Sequence, residues 1–343
     1  MISAINIKMQ NIILHKIGNK LRDEGLIISN SYLNNFESLQ EILINYFISP
    51  FISDEYFHLY HDSELSLNEV YIYTSRIFDN PSTLHEQSVK LAKHLYNQSV
   101  HPKIKGGEFY VVYLKDCILD NNTVDAIGLF KSENKDTYLK VHSQDGNFNL
   151  ESEKGININK LDKGCLIFNI EKDNGYIVAV VDNTNKGVEA KYWTEDFLHI
   201  RPRKDSYNQT QNMISIYKNF ISQLPEDNGK MNKIILMNKG IEALKKESVN
   251  INSFATQVFE QPELETKFKQ YKETYQKERD IEIDDTFKPA PQVLKRKTMG
   301  KMATIKLDKN FDINIHGGEQ YIERGYDEKR GMYYYQFFFR EEK

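Results

Sequence analysis

At Phe109 the spacing of apolar residues switches from a helical period to a strand period. Before that point Leu39, Ile42, Leu43, Tyr46 and Phe47 recur at i, i+3, i+4, i+7 and i+8, a stripe one helix face wide that Pro50 stops. The same spacing predicts helices over 67–78 and 83–96, separated by Asn80-Pro81. After it, residues 109–119, 123–130 and 137–142 are rich in Val, Ile, Leu, Phe and Tyr, and two more strands are expected over 164–171 and 176–182. Asn121-Asn122 and Asp173-Asn174-Gly175 tolerate the positive φ of tight turns. The strands are therefore expected to be antiparallel with short connections, not joined through crossover helices. An earlier strand is read over 5–16, and the amphipathic segment 190–200, with the single Trp193, is expected to cover one face of the sheet.

The helical period returns in the second half. Met213, Ile216, Tyr217, Phe220, Ile221 and Leu224 form a stripe that ends before Pro225. Further helices are expected over 231–246 and 264–277, the latter with Leu264, Phe268, Tyr271 and Tyr275 on one side. Beyond Phe287 the pattern becomes strand-like again over 302–307, 311–316 and 332–339, with Gly317-Gly318 and Gly325 at turns. The chain is thus expected to be α+β. An N-terminal mixed region has an antiparallel sheet with covering helices, and is followed by a helical region and a small C-terminal β region. At 343 residues it exceeds what one core usually serves, so two domains are expected, 1–200 and 207–343.

The formal net charge of −4 argues against a protein that coats a polyanion, but affinity for phosphate follows local potential. Between 288 and 309 stand Lys288, Lys295, Arg296, Lys297, Lys301, Lys306 and Lys309, with Asp308 as the only acid, after an acid-rich stretch over 260–287. Val293 and Leu294 provide an apolar anchor beside these cations, which makes the seven the candidate DNA contacts. A solvated charged loop is the competing reading. A second cluster, Arg201-Pro202-Arg203-Lys204, follows a helix end, where capping accounts for it as well as phosphate contact does. Tyr326 and Tyr333–Tyr335 offer stacking surfaces, although burial in a strand is the commoner fate of such residues.

Other chemistries find less support. Two cysteines, Cys117 and Cys165, cannot build a disulfide framework and are expected to be buried and reduced. His58 and His61 lie near Asp54, Glu55, Asp62 and Glu64 but lack a third ligand at defined spacing, so a surface acidic loop is expected there and no metal. No GxGxxG, Walker, GxSxG or HExxH pattern occurs, and no cofactor is expected. Asp125, Glu133 and Lys135 match the residue types of a magnesium-dependent nuclease, yet 132–136 reads as a hairpin tip, the wrong context for such a site. The first residues lack a signal-peptide pattern, and the apolar run over 42–52 is interrupted and too short to span a bilayer. A soluble, cytoplasmic protein without membrane contact is the expectation.

The stretch Phe287-Lys-Pro-Ala-Pro-Gln-Val-Leu-Lys-Arg-Lys297 resembles the bacterial nucleoid-associated protein family of the NdpA type, in particular its Bacteroidetes-like branch. Asp125-Ala-Ile-Gly-Leu-Phe-Lys-Ser-Glu133, Lys160-Leu-Asp-Lys-Gly-Cys-Leu-Ile-Phe-Asn169 and the segment from Asn310 to Tyr326 carry the same resemblance. It covers the chain from about residue 5 to 339 and implies association with the nucleoid, through double-stranded DNA, with no established catalysis. Assigning contact to the seven cations is a charge argument. A homodimer would double the phosphate contacts. The alternatives are an interaction module recruited by a DNA-bound nucleoid protein and, less favoured, a metal-dependent nuclease.

Overall fold

Both faces of the long central strands carry apolar side chains, so the sheet they form must be covered on both sides. The computed structural model describes residues 7–120, 122–144, 146–184, 191–225, 230–259, 261–279, 281–298, 304–307, 309–314 and 321–341. It divides into two compact units, Met1–Arg203 and Lys204–Lys343.

The first unit runs β1 (Lys8–Ile17), β2 (Leu26–Ile27), α1 (Gln40–Ile48), β3 (Phe57–Leu59), α2 (Glu69–Asp79), α3 (Leu84–Gln98), β4 (Gly107–Leu119) and β5 (Asn122–Ser132). It continues with β6 (Asp136–Gln144), β7 (Asn147–Gly155), β8 (Lys163–Phe168), β9 (Ile177–Asp182), a π-helical turn over Tyr192–Phe197 and β10 (Ile200–Pro202). Eight strands form an antiparallel sheet in the order β10-β3-β9-β8-β5-β4-β1-β2, and β6 and β7 pair as a separate ribbon. Along β4, Phe109, Val111 and Tyr113 join the core under α2, α3 and the π-helical turn, while Tyr110, Val112 and Leu114 join the core under α1. Phe47 of α1 stacks on Phe130 of β5 with ring centroids 4.2 Å apart. This double coverage explains why the strands read as nearly unbroken apolar runs.

Two local devices complete the frame. Asn68 caps α2 by accepting from the Tyr71 N–H, and its amide donates to the carbonyls of Tyr60 and Leu198, tying the helix to the sheet edge. Gly175 takes φ +99°, and a Cβ there would sit 1.9 Å from the Leu59 carbonyl oxygen, so only glycine lets β3 close against that turn. Short β3 and β10 were not expected from sequence, because three residues carry too little alternation to register. Both cysteines are free and buried, and burial pushes the Cys117 thiol up to about 12, which leaves it unreactive.

His15 of β1 is buried and held in one neutral tautomer. The Ser29 N–H donates to Nδ1, so Nε2 carries the proton and donates to Ser88 Oγ, whose hydroxyl donates to the His85 carbonyl. Burial, and then the neighbouring His85, pulls its pKa down to about 4. The unfolded imidazole binds a proton below about pH 6.5, which the folded ring refuses until about pH 4. Stability contributed here is complete above 6.5 and falls as pH drops toward 4, by about 3 kcal/mol in all. Urea unfolding followed through Trp193 fluorescence at several pH values is expected to show this slope, and His15→Gln to flatten it. An unchanged slope in the variant would remove His15 as its source.

The second unit contains α4 (Ser206–Gln223), α5 (Lys230–Ala243), β11 (Val249–Asn250), α6 (Ile251–Val258), α7 (Pro262–Arg279), β12 (Thr286–Phe287) and α8 (Pro291–Thr298). Two ribbons follow, β13 (Thr304–Leu307) with β14 (Phe311–Asn314), and β15 (Ile322–Asp327) with β16 (Met332–Phe337). Met213, Tyr217 and Phe220 of α4, Phe254 of α6 and Phe268 of α7 form an aromatic-rich core into which Val293 and Leu294 of α8 insert. The ribbons gather through Leu307, Ile313, Ile322 and Tyr335 around Ile234 of α5. The protein is α+β with a large antiparallel sheet, as its periodicity indicates. Among the described residues no helix is long and apolar enough to cross a membrane.

Candidate functional site

Three of the seven cations of the basic segment, Lys295, Arg296 and Lys297, lie on α8. Thr210 Oγ1 accepts from the Ala290 N–H at 2.8 Å and seats the start of the helix, and Val293 and Leu294 are 2% and 6% exposed. Lys288 and Lys295 are exposed on either side of these anchors. Lys295, Arg296 and Lys297 occupy the C-terminal half of α8, where unpaired carbonyls favour cations. Lys306 lies on β13 in register with Asp312, and Lys309 is exposed at the turn into β14. The side chains of Arg296, Lys297 and Lys306, and the whole of Lys301, lie outside the described residues.

Other sequence candidates are separated or engaged. Asp125 accepts from the Tyr113 hydroxyl at 2.8 Å, and Lys135 pairs with Glu108 at 2.5 Å. Eight residues of extended chain, at ~3.3 Å each, put Asp125 roughly 26 Å from Glu133. The nuclease constellation is therefore not assembled. Residues 133–135 also do not form the tip of a hairpin, because β5 pairs with β4 and β8 while β6 pairs with β7. Among the described residues no group of three or more His, Cys, Asp or Glu side chains is placed to hold a metal. His58 belongs to β3, not to an acidic surface loop, and its Nε2 lies 2.8 Å from Glu171, which also pairs with Arg203. Arg201 lies over the Tyr60 ring and Lys204 pairs with Glu282 and Asp284, so the smaller basic cluster serves contacts within each unit. Tyr326 and Tyr333 are 53% and 64% exposed, contrary to the burial usual in strands, and the Arg324 guanidinium lies 4.0 Å from the Tyr333 ring centroid.

A cluster that composition and spacing did not single out occupies one end of the large sheet. Lys131 of β5 and Lys163 of β8 are direct cross-strand partners, and both side chains are fully buried. Like charges placed so repel each other, and a buried ammonium also loses its hydration. Compensation comes from three sides. Lys131 Nζ donates to Glu133 Oε1 at 2.8 Å and to the Lys105 carbonyl at 2.7 Å. Lys163 Nζ donates to Asp182 Oδ2 and Thr184 Oγ1, each at 2.7 Å. The Tyr192 ring takes both ammonium groups, 5.4 and 5.2 Å from its centroid, and its hydroxyl donates to Glu133 Oε1. Burial holds the Lys131 ammonium below the usual lysine value against the opposing pull of Glu133, and burial with Glu133 pushes the Tyr192 phenol well up. Asp162 accepts from the Glu133 and Asn134 N–H groups and from the Asn134 amide, which fixes the chain leaving β5. Strand parity held the signal for this cluster: Lys131 follows Ile127 and Leu129 on the inward face, as Lys163 precedes Cys165 and Ile167.

Over residues 13–331 the chain matches the family model described as nucleoid-associated protein YejK. No curated protein matches it.

Proposed function

This chain belongs to the family of nucleoid-associated protein YejK, and on that premise we propose that it contacts duplex DNA directly, without catalysis and largely without sequence preference. The contact runs through Lys288, Lys295, Arg296, Lys297, Lys301, Lys306 and Lys309. The observation that supports it most is the seating of α8: Val293 and Leu294 are locked into the core of the second unit, so the charges beside them have a fixed mounting. Cations on a rigid element displace counterions from a phosphate backbone with little ordering cost, and they read charge instead of base edges. A salt titration of duplex binding tests the reading. No binding by the purified protein at low salt would transfer the role to recruitment by a DNA-bound partner.

The non-catalytic part is supported by the engagement of Lys135 with Glu108 and by the separation of Asp125 from Glu133 along β5, which leave the candidate nuclease set unassembled. Supercoiled plasmid incubated with the protein and magnesium or manganese is expected to stay supercoiled. Metal-dependent nicking by homogeneous protein would overturn this part alone.

A further inference from the structure

The β15–β16 ribbon has two unlike faces, and its register sets them apart. Ile322, Arg324 and Tyr326 point to one side, with Phe337, Tyr335 and Tyr333 as their cross-strand partners. Glu323 and Asp327, the carboxylates of the two strands, point to the other side with Tyr334 and Gln336. There the Tyr334 ring lies across Gly325, where an added Cβ would meet it at 2.3 Å, so that ring closes over its own ribbon. We propose that the first face is a stacking platform for the unpaired bases of single-stranded DNA, a ligand distinct from the duplex assigned to α8.

The platform is anchored at one end and open at the other. Ile322 and Tyr335 pack with Leu307 and Ile313 around Ile234 of α5. Tyr326 and Tyr333, at the far end, stay more than half exposed although their rings meet, with centroids 4.9 Å apart and planes at 60°. The Arg324 guanidinium lies 4.0 Å from the Tyr333 ring centroid and backs that ring. Tyrosine has few rotatable bonds, so two such rings on a paired ribbon offer contact area at a low ordering cost. A base inside a duplex has both faces covered by its neighbours, whereas an unpaired base can turn onto an aromatic ring, so the platform selects single strands. It tolerates any sequence, because every base has a π-face. Stacking on Tyr333 uses the plane of the Arg324 guanidinium and not the donors at its edge, which suit the phosphate beside a stacked base. This face carries no carboxylate of either strand, which a phosphate backbone would meet with repulsion. Its open end holds no aliphatic residue of either strand, which favours a base over an aliphatic protein surface.

The probe is a short oligo-dT strand carrying one 2-aminopurine, a base whose fluorescence is quenched when it stacks. The full chain is expected to bind this strand and quench the base. Tyr326→Phe with Tyr333→Phe keeps both rings and should leave binding within about twofold. Tyr326→Leu with Tyr333→Leu keeps apolar bulk on the ribbon but removes the π-faces. It should weaken binding at least about tenfold and abolish the quench. A blunt duplex should bind the Phe and Leu variants alike. Charge reversal at Lys295, Arg296 and Lys297 should leave the quench and the ratio between those two variants unaltered, so loss of stacking and loss of the duplex contact are told apart. Equal losses in the Phe and Leu variants, an equal loss on duplex, or binding without a quench would overturn the proposal. So would a markedly tighter complex with oligo-U, which would reassign the platform to RNA. A change in sedimentation of the Leu variant with oligo-dT binding intact would likewise overturn it, and would give the ribbon to a second copy of the chain.

Discussion

Reversing Lys295, Arg296 and Lys297 to Glu together is expected to flatten the salt dependence of duplex-DNA binding and to weaken binding at low salt. Each phosphate that is no longer neutralised lowers the slope of log affinity against log salt by about 0.9. If all seven cations engage phosphates, raising salt from ~50 to ~200 mM costs the unaltered protein roughly 6,000-fold in affinity and the triple variant only about 150-fold. The comparison of slopes matters more than either affinity, because a misfolded variant would lose binding without a defined slope. Val293 and Leu294, which seat α8, remain in place in this variant, so the helix keeps its mounting. An unchanged slope would mean that these three side chains do not face DNA, whatever their charge.

Lys131→Met is expected to destabilise the first unit by about 3–5 kcal/mol, the range for removing one member of a buried ion pair. The Glu133 carboxylate is 3% exposed and would be left with Tyr192 as its hydrogen-bond donor. Adding Glu133→Gln removes that stranded charge and should restore most of the loss, so the two changes are strongly non-additive. Trp193 is the only tryptophan, is fully buried beside Tyr192, and lies in the first unit, so its fluorescence in urea reports this unit specifically. Losses that simply add would show that Lys131 and Glu133 do not act as a pair.

Much of the fold was legible because it rests on local regularity. The stripe from Leu39 to Phe47, stopped by Pro50, became α1, and the run from Met213 to Leu224 became α4. Strands β4, β5, β8 and β9 announced themselves through apolar runs. Elements without such regularity escaped. The two-residue pairing of β11 with β12 and the three-residue β3 hold too few positions to show a period. Strand β7, Asn-Phe-Asn-Leu-Glu-Ser-Glu-Lys-Gly, is exposed along nearly its whole length and reads as polar chain. The eight-residue α6 lies between two other helices and is too short for its apolar stripe to stand out.

The same division runs through the candidate sites. A cluster of cations close together in sequence is visible as composition, and residues 288–309 stood out for that reason, although nothing in the letters made Lys295 part of a helix. Lys131 and Lys163 are thirty-two positions apart, and each alone reads as an ordinary surface charge. Their confrontation exists only because β5 and β8 pair antiparallel in one register, and a slip of one strand by one residue would put the two side chains on opposite faces of the sheet. The order of residues sufficed for the helical and strand periods, the position of the basic segment and the family. Which charges are buried together was left to the folded chain, because register and packing act between residues distant in sequence, whereas periodicity records only what neighbours share.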